Sequence, residues 1–355
     1  MIYCNVIFVN KLLTYLIGLF DFAENFHYVV QDEVQGYHWN REQCTVHPVV
    51  LYYKDQEKNL NHKSLCFLSN DLEHDNCFVH EVERQTTEYI QKNMPAINTI
   101  EYFSDGCAGQ YKSFKNFLNL CYHKTDFGFE AVWSFFATSH GKSPCDGIGG
   151  YVKRSIASAS LQRPLKNQIV TFEDVWLFCS TNLKSISFFA IKKEDMIPIR
   201  EKLNERYKLG NTVEGTRSFH HFKPLSTTKI QAKYLSMETN YSITHSFLQS
   251  DEDSHSELIS LLRVNDYITC IYGDYWWLAL ITKIDLDEKD VLCNFMHPHG
   301  YTENFHWPRK DEVYVPFSKI LLRVGTPKIL STSGRHYSIT KTEIQMTEEA
   351  FFKRK

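Results

Sequence analysis

Three aspartates stand at the ends of predicted elements, where one sheet would bring their carboxylates together. Asp21 lies near the end of an apolar strand predicted over residues 16–23, and Asp105 ends a second buried strand at a Ser-Asp-Gly turn. Asp146 begins a third element, predicted to run to Leu161. Carboxylates are the ligands that hard divalent cations prefer. The pattern therefore predicts a site for Mg²⁺, with Mn²⁺ as a substitute.

A site of this kind would cleave or transfer phosphodiesters with two ions roughly 3.5–4 Å apart. We expect Asp21 to bridge both ions, Asp105 to hold the ion facing the attacking water or 3′-hydroxyl, and Asp146 to hold the other. His140 would contact the scissile phosphate or orient water, and a hydrogen bond within its own loop is an equally good interpretation. Each aspartate taken singly is also typical of a turn or a helix N-cap.

The third acid has rivals, and the basic residues nearby have two interpretations. Glu130 and Glu173 compete with Asp146, and Glu24 is a further rival that we expect to point to a different side of the strand end than Asp21. Five basic residues are candidates for phosphate contacts, although a solvated helix face is the more common place for such side chains. These are Lys112, Lys115, Lys142, Lys153 and Arg154.

The apolar pattern predicts the elements that carry these residues. In chain order they are strands at 16–23, 26–31 and 43–53, a helix at about 71–92, the strand that ends at Asp105, a helix at 110–122, a strand at 129–138 and the helix from Asp146. The order βββαβαβα is that of the RNase H-like fold, in which the first strand, the fourth strand and the helix after the fifth each supply one acid. We therefore predict an α/β class with an RNase H-like mixed sheet and flanking helices.

Composition limits the alternatives. The chain has 355 residues, 43% of them apolar, which is enough for more than one core, and its net charge of −3 leaves DNA contacts to local basic patches. Its ten cysteines include no C-x-x-C pair, so we expect reduced core thiols. The spacing His74-x-x-Cys77-x-x-His80 lacks a fourth ligand nearby, and we reject it as a zinc site.

The first twenty residues are mostly apolar but carry Asn5, Asn10, Lys11 and Thr14. A membrane anchor is the weakest interpretation of this stretch, and we expect no membrane partner. We predict instead a first core strand preceded by an irregular or truncated N-terminus.

The second half of the chain changes character. We predict an RNase H-like core over residues 1–210 with a helical extension from about 165, a polar linker at 211–258, an SH3/Tudor-like barrel of five short strands at 259–326, and a disordered tail at 327–355. Aromatic residues of the barrel would form a cage for a methylated cation or fill its core. These are Tyr267, Tyr272, Trp276, Trp277 and Phe295.

Several strings of the chain resemble DDE-type transposase-derived proteins, a largely uncharacterised group that is abundant in invertebrate genomes. They are FDFAENF, QGYHWNREQ, YFSDGCAGQYKSFKNF and WSFFATSHGKSPCDGIGGYVKR in the core, with VNDYITCIYGDYWWLALI and FMHPHGYTENFHWP in the barrel. The resemblance implies an RNase H-like nuclease core whose three acids fall on Asp21, Asp105 and Asp146. Larger relatives carry an N-terminal region, often cysteine-rich, that would bind DNA.

The resemblance gives two functional expectations. The first is a truncated or domesticated DNA-processing enzyme, metal-dependent and nuclear, with DNA as substrate and chromatin or a protein as partner of the barrel. The alternative is a catalytically inactive nuclear scaffold of the same fold that binds DNA or chromatin.

Overall fold

The computed structural model describes residues 13–29, 42–136, 143–247, 256–298, 304–330 and 336–354. The chain forms two compact units. The first comprises residues 1–210 and 219–248, and the second comprises residues 211–218 and 249–355. Within the described ranges, no helix has both the length and the apolar character that a bilayer crossing requires.

The first unit combines one large sheet with helices. Its strands are β1 (Tyr15–Phe20), β2 (Ala23–His27), β3 (Gln43–Lys54), β4 (Leu60–Ser69), β5 (Thr99–Ser104), β6 (Glu130–Phe135), β7 (Ser187–Ile191), β8 (His221–Ser226), β9 (Lys229–Lys233) and β10 (Ile243–Ser246). Its helices are α1 (Asn76–Asn93), α2 (Phe114–Phe127), α3 (Pro144–Leu161), α4 (Phe172–Asn182) and α5 (Lys193–Tyr207).

The strand order is β10-β9-β8-β6-β5-β1-β3-β4-β7, and β2 pairs with β3 beside β1. The central strands β1, β5 and β6 are parallel, whereas β3 and β4 are antiparallel additions on the other side of β1. A parallel connection requires a crossover, and α2 provides one between β5 and β6. The carboxyl ends of the three parallel strands therefore lie at one edge of the sheet.

The central strands are buried on both faces, which explains their nearly continuous apolar sequences. On one face of β1, Phe20 makes edge contacts with Tyr102 and Trp133. On the other face, Ile17 and Leu19 pack with the start of α3 at Cys145. Helices α3 and α4 continue that layer over β3 and β4, through the buried side chains Val152, Ile156, Val175 and Cys179.

The predicted α/β class is confirmed, with local differences. The second strand begins three residues earlier than predicted, because β2 continues from β1 after a two-residue break, and it pairs with β3. The third antiparallel strand of the core is β4, a ten-residue strand in a segment for which the sequence analysis predicted no element. The first half of β4 is polar, and its side chains are buried only from Leu65 onwards. The apolar pattern of the sequence therefore does not indicate the full strand.

The predicted linker at 211–258 is wrong. Strands β8, β9 and β10 lie in this segment, and β8 extends the main sheet by pairing with β6. Strands at the edge of a sheet tolerate polar residues on an exposed face, so their Ser/Thr-rich sequence lacks a clear period. The acidic stretch Ser250–Asp253 lies outside the described residues.

The second unit is a curled antiparallel sheet with short helices. Its strands are β11 (Tyr267–Tyr272), β12 (Tyr275–Asp285), β13 (Asp290–Pro298), β14 (Phe305–His306), β15 (Glu312–Pro316), β16 (Ile320–Val324), β17 (Lys328–Ile329) and β18 (Tyr337–Ser338), and its helices are α6 (Ser256–Leu261) and α7 (Lys341–Arg354). The order β16-β11-β12-β13-β15 encloses a core of apolar side chains, among them Ile268, Ile281 and Phe295. Strands β11, β12, β13, β15 and β16 lie within residues 259–326, the range of the predicted five-stranded barrel.

The predicted disordered tail is wrong where the structure describes it. Helix α7 buries Ile344 and Phe351, and the hydroxyl of Thr347 lies 3.1 Å from that of Thr269 on β11. These three tail residues recur at helical spacing within an otherwise charged sequence. Their apolar stripe is too narrow to raise the mean hydropathy of the segment, which explains why the sequence suggested disorder.

Candidate active site

Asp21 and Asp105 occupy equivalent positions on neighbouring parallel strands. Leu19 of β1 pairs with Phe103 of β5, and each aspartate lies two residues beyond its member of that pair. Each strand ends at the residue before its aspartate. Strand pairing alone thus places the two carboxylates side by side at the carboxyl edge of the sheet, as the sequence predicts.

Asp146 is connected to this edge through the first turn of α3. The hydroxyl of Ser143 donates to Asp21 Oδ2 at 3.3 Å, and its backbone N–H donates to Asp146 Oδ2 at 2.7 Å. Ser143 and Asp146 form a capping box, with Pro144 at the first helical position. Asp146 therefore performs the capping role that the sequence left open and lies beside Asp21 as well.

The charges of Asp105 and Asp146 both act on Asp21, which therefore lies within electrostatic range of each. The pKa of Asp21 is raised to about 6, by burial first and then by the charges of Asp105 and Asp146, which together outweigh the hydrogen bonds of Ser143 and the Phe22 backbone. None of the three carboxylates forms an ion pair with a lysine or arginine in the part of the chain that the structure describes. Negative charge is therefore concentrated at this edge.

The three aspartate side chains do not converge on one point in this structure. Among the described residues, no three His, Cys, Asp or Glu side chains are grouped closely enough to hold one metal ion. Asp105 and Asp146 are exposed, whereas Asp21 is partly buried. Asp105 Oδ1 accepts from the backbone N–H of Cys107 at 3.1 Å, which fixes one side of that carboxylate.

An aromatic layer beneath the carboxylates was not predicted from the sequence. Tyr111 and His47 are fully buried there and hydrogen-bonded to each other at 2.8 Å. Phe22, next to Asp21, packs edge-on against His47 with ring centroids 4.4 Å apart. The sequence showed Tyr111 only as one apolar position of a helix. Its place in the short loop between Asp105 and α2 is the signal that could have identified it.

The five basic candidates have different environments. Lys112 is 6% exposed and lies over the ring of Phe135, and Lys115 is exposed beside Tyr207. Lys153 is partly buried near Glu24, and burial lowers its pKa, while Arg154 is exposed on α3. Lys142, together with the predicted catalytic His140, lies outside the described residues.

The rival acids lie away from this edge. Glu130 is at the start of β6, pairs across the sheet with Thr99 at the start of β5, and forms an ion pair with Lys124. Glu173 is in the first turn of α4. Neither is among the charges that act on Asp21, and Glu24 is not among them either.

The rejected zinc pattern has three separate sets of partners. His74 bonds to Asn25, Cys77 lies near Tyr207, and His80 faces Asp126. The side chains therefore serve three different contacts.

A family model described as "Domain of unknown function (DUF8701)" matches residues 12–236, more than half of the chain. The chain belongs to this family. No curated protein and no solved structure matches it. The DUF8701 region contains Asp21, Asp105 and Asp146 and extends past β9, so β8 and β9 are part of the family domain as well as of the sheet.

The predicted aromatic cage lies outside the DUF8701 region, and the structure separates its members. Tyr272 and Trp277 each pack against Phe295, with ring centroids 5.3 and 5.8 Å apart. Trp276 points to the opposite face of β12, as alternation along a strand requires, and packs against Phe305. Tyr267 belongs to that second cluster too.

Beside the first cluster, His297 contacts Trp277 with ring centroids 5.4 Å apart. The imidazole Nε2 of His297 is 2.7 Å from Asp311 Oδ2. We refer to Tyr272, Trp277, Phe295 and His297 as the β13 aromatic cluster. It places three of the five predicted cage residues together with a carboxylate close by.

Proposed function

We propose that the first unit is a metal-dependent DNA phosphodiesterase or strand transferase of the RNase H-like, DDE type, derived from a transposase. The observation that carries this proposal is the position of the three aspartates. When β1, β3, β4, β5 and β6 are counted as first to fifth, the acids follow the first strand, follow the fourth strand and begin the helix after the fifth. Those are the places that the resemblance to transposase-derived proteins implies.

The residues present suit a hard divalent cation. The three carboxylates have no lysine or arginine counter-ion in the described structure. Burial and the charges of Asp105 and Asp146 raise the pKa of Asp21, and a bound cation would offset both effects. Asp21 and Asp105 would hold Mg²⁺ or Mn²⁺, and Asp146 has one oxygen left because the other accepts from Ser143. When bound, such ions activate the attacking oxygen and neutralise the leaving group.

The protein's own groups prepare this site in three ways. Parallel pairing of β1 and β5 sets the spacing of Asp21 and Asp105. Ser143 connects α3 to the end of β1 and orients both Asp21 and Asp146. The buried aromatic layer excludes water from beneath the carboxylates, so ligands approach only from the open edge.

The proposal is tested by Mg²⁺- and Mn²⁺-dependent nicking of labelled DNA. We expect Asp105→Asn to reduce the nicking rate by about 100-fold or more, since removing a ligand charge disables this chemistry. Glu130→Gln is the matched control, because it neutralises an acid at the opposite edge of the same sheet. Equal nicking by wild type and Asp105→Asn would reject the proposal.

An inactive DNA- or chromatin-binding scaffold of the same fold is the second candidate. It is favoured by the use of Asp146 in a capping box, a role that needs no metal. In that case wild type and Asp105→Asn would bind DNA equally in a gel-shift assay, and neither would nick it. Both candidates imply a nuclear protein.

We propose for the second unit an SH3/Tudor-like barrel that binds methylated ammonium groups at the β13 aromatic cluster. Cation–π attraction contributes roughly 0.5–2 kcal/mol in such sites. Tyr272 is 49% exposed, so Tyr272→Ala should weaken binding of a trimethyl-lysine peptide about tenfold by NMR titration without disturbing the core. Tyr275, in the same turn and 71% exposed, provides the control Tyr275→Ala. Equal affinities of the two variants would exclude this surface.

A further inference from the structure

A buried hydrogen-bond network crosses four neighbouring strands on one face of the main sheet. Its members are Tyr15 of β1, Glu101 of β5, Ser134 of β6 and His221 of β8, and we refer to them as the Glu101 network. Glu101, Ser134 and His221 are 4%, 1% and 7% exposed, whereas Tyr15 is partly buried. The network includes none of the three aspartates, so it is separate from the candidate active site.

Glu101 receives hydrogen bonds from the strands on both sides of β5. The hydroxyl of Tyr15 on β1 donates to Glu101 Oε2, and the hydroxyl of Ser134 on β6 donates to Glu101 Oε1 at 2.9 Å. His221 Nδ1 lies 2.8 Å from Ser134 Oγ and 3.9 Å from Glu101 Oε1. A buried carboxylate is tolerated when donors converge on it, so these contacts explain why Glu101 lies in the interior.

The chemistry of Glu101 sets the direction of every hydrogen bond in the network. A carboxylate can only accept, so both hydroxyls donate to Glu101. Ser134 has a single hydroxyl hydrogen, and once that hydrogen is used for Glu101, the hydrogen between Ser134 and the imidazole must come from His221 Nδ1. On the other side of the ring, the hydroxyl of Tyr241 lies 3.4 Å from His221 Nε2. Both ring nitrogens therefore have a polar neighbour.

The network lies where β8 joins the core of the sheet, and this junction is short. In the described structure β6 and β8 share two residue pairs, Trp133 with Phe222 and Ser134 with His221. On the opposite face of the sheet, Phe222 stacks on Phe117 of α2 with ring centroids 3.9 Å apart. Because the backbone pairing is so short, side chains on both faces must help to hold β8 on β6. The polar half of this support is the Glu101 network.

We infer that Glu101 is the common acceptor of a network that couples the pairing of β8 with β6 to the hydroxyl of Tyr15 on β1. Hydrogen bonds that share one acceptor change one another's strength, so a change on β1 alters the junction at β8, three strands away. The network thereby connects the β8–β10 part of the sheet to β1 and β5, the strands that end at Asp21 and Asp105. The inference is independent of the proposed nuclease function, since it involves neither metal nor DNA.

The direction of the hydrogen bonds is tested on the wild-type protein by ¹⁵N NMR of the histidine rings, which shows which ring nitrogen carries a proton. We expect a proton on Nδ1 of His221. A ring without that proton would overturn the inference, because Ser134 would then donate to His221 and Glu101 would have to carry a proton of its own. His123 is the internal reference, because its Nδ1 lies 2.9 Å from the carbonyl oxygen of Phe129, which can only accept.

The contribution of the network to the β8 junction is tested by amide hydrogen exchange of the full chain. Ser134→Ala removes the hydroxyl between His221 and Glu101 and should speed exchange in β8 about tenfold, the effect expected when one hydrogen bond to a charged group is lost. Ser160→Ala is the matched control, because its equally buried hydroxyl donates to the carbonyl oxygen of Val29 at 2.7 Å, away from β8. Equal exchange of β8 in the two variants would overturn the inference.

Tyr15→Phe tests whether the effect passes through Glu101. This change leaves β6 and β8 untouched but removes one donor from the carboxylate, and we expect exchange in β8 to become about threefold faster. Tyr102→Phe is the control, because its hydroxyl bonds to His123 Nε2 at 2.8 Å and not to Glu101, and it should leave exchange in β8 unchanged. Unchanged exchange of β8 in Tyr15→Phe would overturn the coupling. Faster exchange spread evenly over the whole sheet would overturn it too, because that result is a general loss of stability.

Discussion

At the scale of single residues, Asp21 illustrates the cost of partly burying a carboxylate close to two others. Its pKa is about 6 in the folded chain against 3.8 for the free side chain, so the folded state holds this proton more tightly than the unfolded state. Ionisation therefore destabilises the fold increasingly as pH rises from about 4 to 6. In the absence of metal, Asp21→Asn should stabilise the protein at pH 7 by on the order of 1 kcal/mol, after allowance for partial solvent screening.

Urea denaturation at pH 7 and pH 4 tests this prediction. The gain from Asp21→Asn should be present at pH 7 and much smaller at pH 4, where the wild-type carboxyl is largely protonated. A destabilised Asp21→Asn variant at pH 7 would contradict the proposed repulsion among the three acids.

The pKa of Asp126 is shifted in the opposite direction to that of Asp21, so its ionisation stabilises the fold. Burial raises its pKa, but hydrogen bonds from His80 and Arg206 outweigh burial and lower the pKa to about 2. This stabilisation is present above about pH 4 and is lost as pH falls towards 2. Asp126→Asn should cost about 2 kcal/mol at pH 7, because it leaves the largely buried Arg206 without its counter-charge. In urea denaturation the exposed acid Glu205, changed to Gln, should have almost no effect.

The sequence could predict the three aspartates because Asp21 and Asp105 stand where an apolar run stops and Asp146 stands where a helical pattern begins. It could not predict Ser143 as the residue that connects two of them, since that role depends on packing of α3 against β1. His47 was equally hidden, because it appears within a strand as one polar residue among apolar neighbours. Its partner Tyr111 is distant in sequence, and only the folded sheet brings them together.

At the scale of elements, two glycines of α3 provide a matched test of how the helix sets the site. A Cβ added to Gly149 would lie 2.9 Å from Ala23 Cβ and 3.4 Å from Pro48 Cγ, whereas a Cβ added to Gly147 meets nothing within 4 Å. Gly149→Ala must displace α3 from β2 and β3, and we expect a loss of about 1–3 kcal/mol in unfolding free energy. Gly147→Ala should instead stabilise the helix by roughly 0.5–1 kcal/mol.

Chemical denaturation of both variants measures this difference. Because Asp146 moves with α3, Gly149→Ala should also weaken Mn²⁺ binding, while Gly147→Ala should not. Equal stability of the two variants would mean that α3 does not depend on close contact at Gly149.

The predictions are close to the structure for elements that have one or two apolar faces. Strands β1, β3, β5 and β6 and the helices between them are therefore close to their expected ranges. Prediction failed for β8–β10, whose exposed faces are polar, and for α7, whose apolar stripe is narrow. In these segments tertiary contacts, rather than local composition, supply the stabilising free energy.

At the scale of the whole molecule, the chain does not divide into domains one after the other. Residues 211–218 belong to the second unit, although the residues on either side, up to Gly210 and from Phe219, belong to the first. The sequence contains no indication that residues 211–218 belong to the second unit, because a short polar segment is typical of any linker. Its place is set by specific contacts, among them the hydroxyl of Thr212 donating to the carbonyl oxygen of Asp287.

Arg217 makes the ion pairs of this segment, and its replacement should lower the stability of the second unit. Its guanidinium donates to Asp290 at 2.6 Å and Asp285 at 2.8 Å and lies 3.8 Å from the ring centre of Tyr314. Asp290 is only 2% exposed, so Arg217→Ala leaves a buried carboxylate without its counter-charge. We expect a loss of about 3 kcal/mol or more in the stability of this unit.

Hydrogen exchange measured by mass spectrometry locates the effect. Peptides of β13 and β15 should exchange faster in Arg217→Ala, whereas peptides of β1 and β5 should not change. Arg323→Ala is the control, because it breaks a more exposed pair with Asp266 that contributes less than about 1 kcal/mol. Combining Arg217→Met with Asp290→Leu should recover much of the loss, since apolar replacement removes the buried charge along with its partner. If hydrogen exchange in β13 is unchanged in Arg217→Ala, residues 211–218 do not contribute to the stability of the second unit through Arg217.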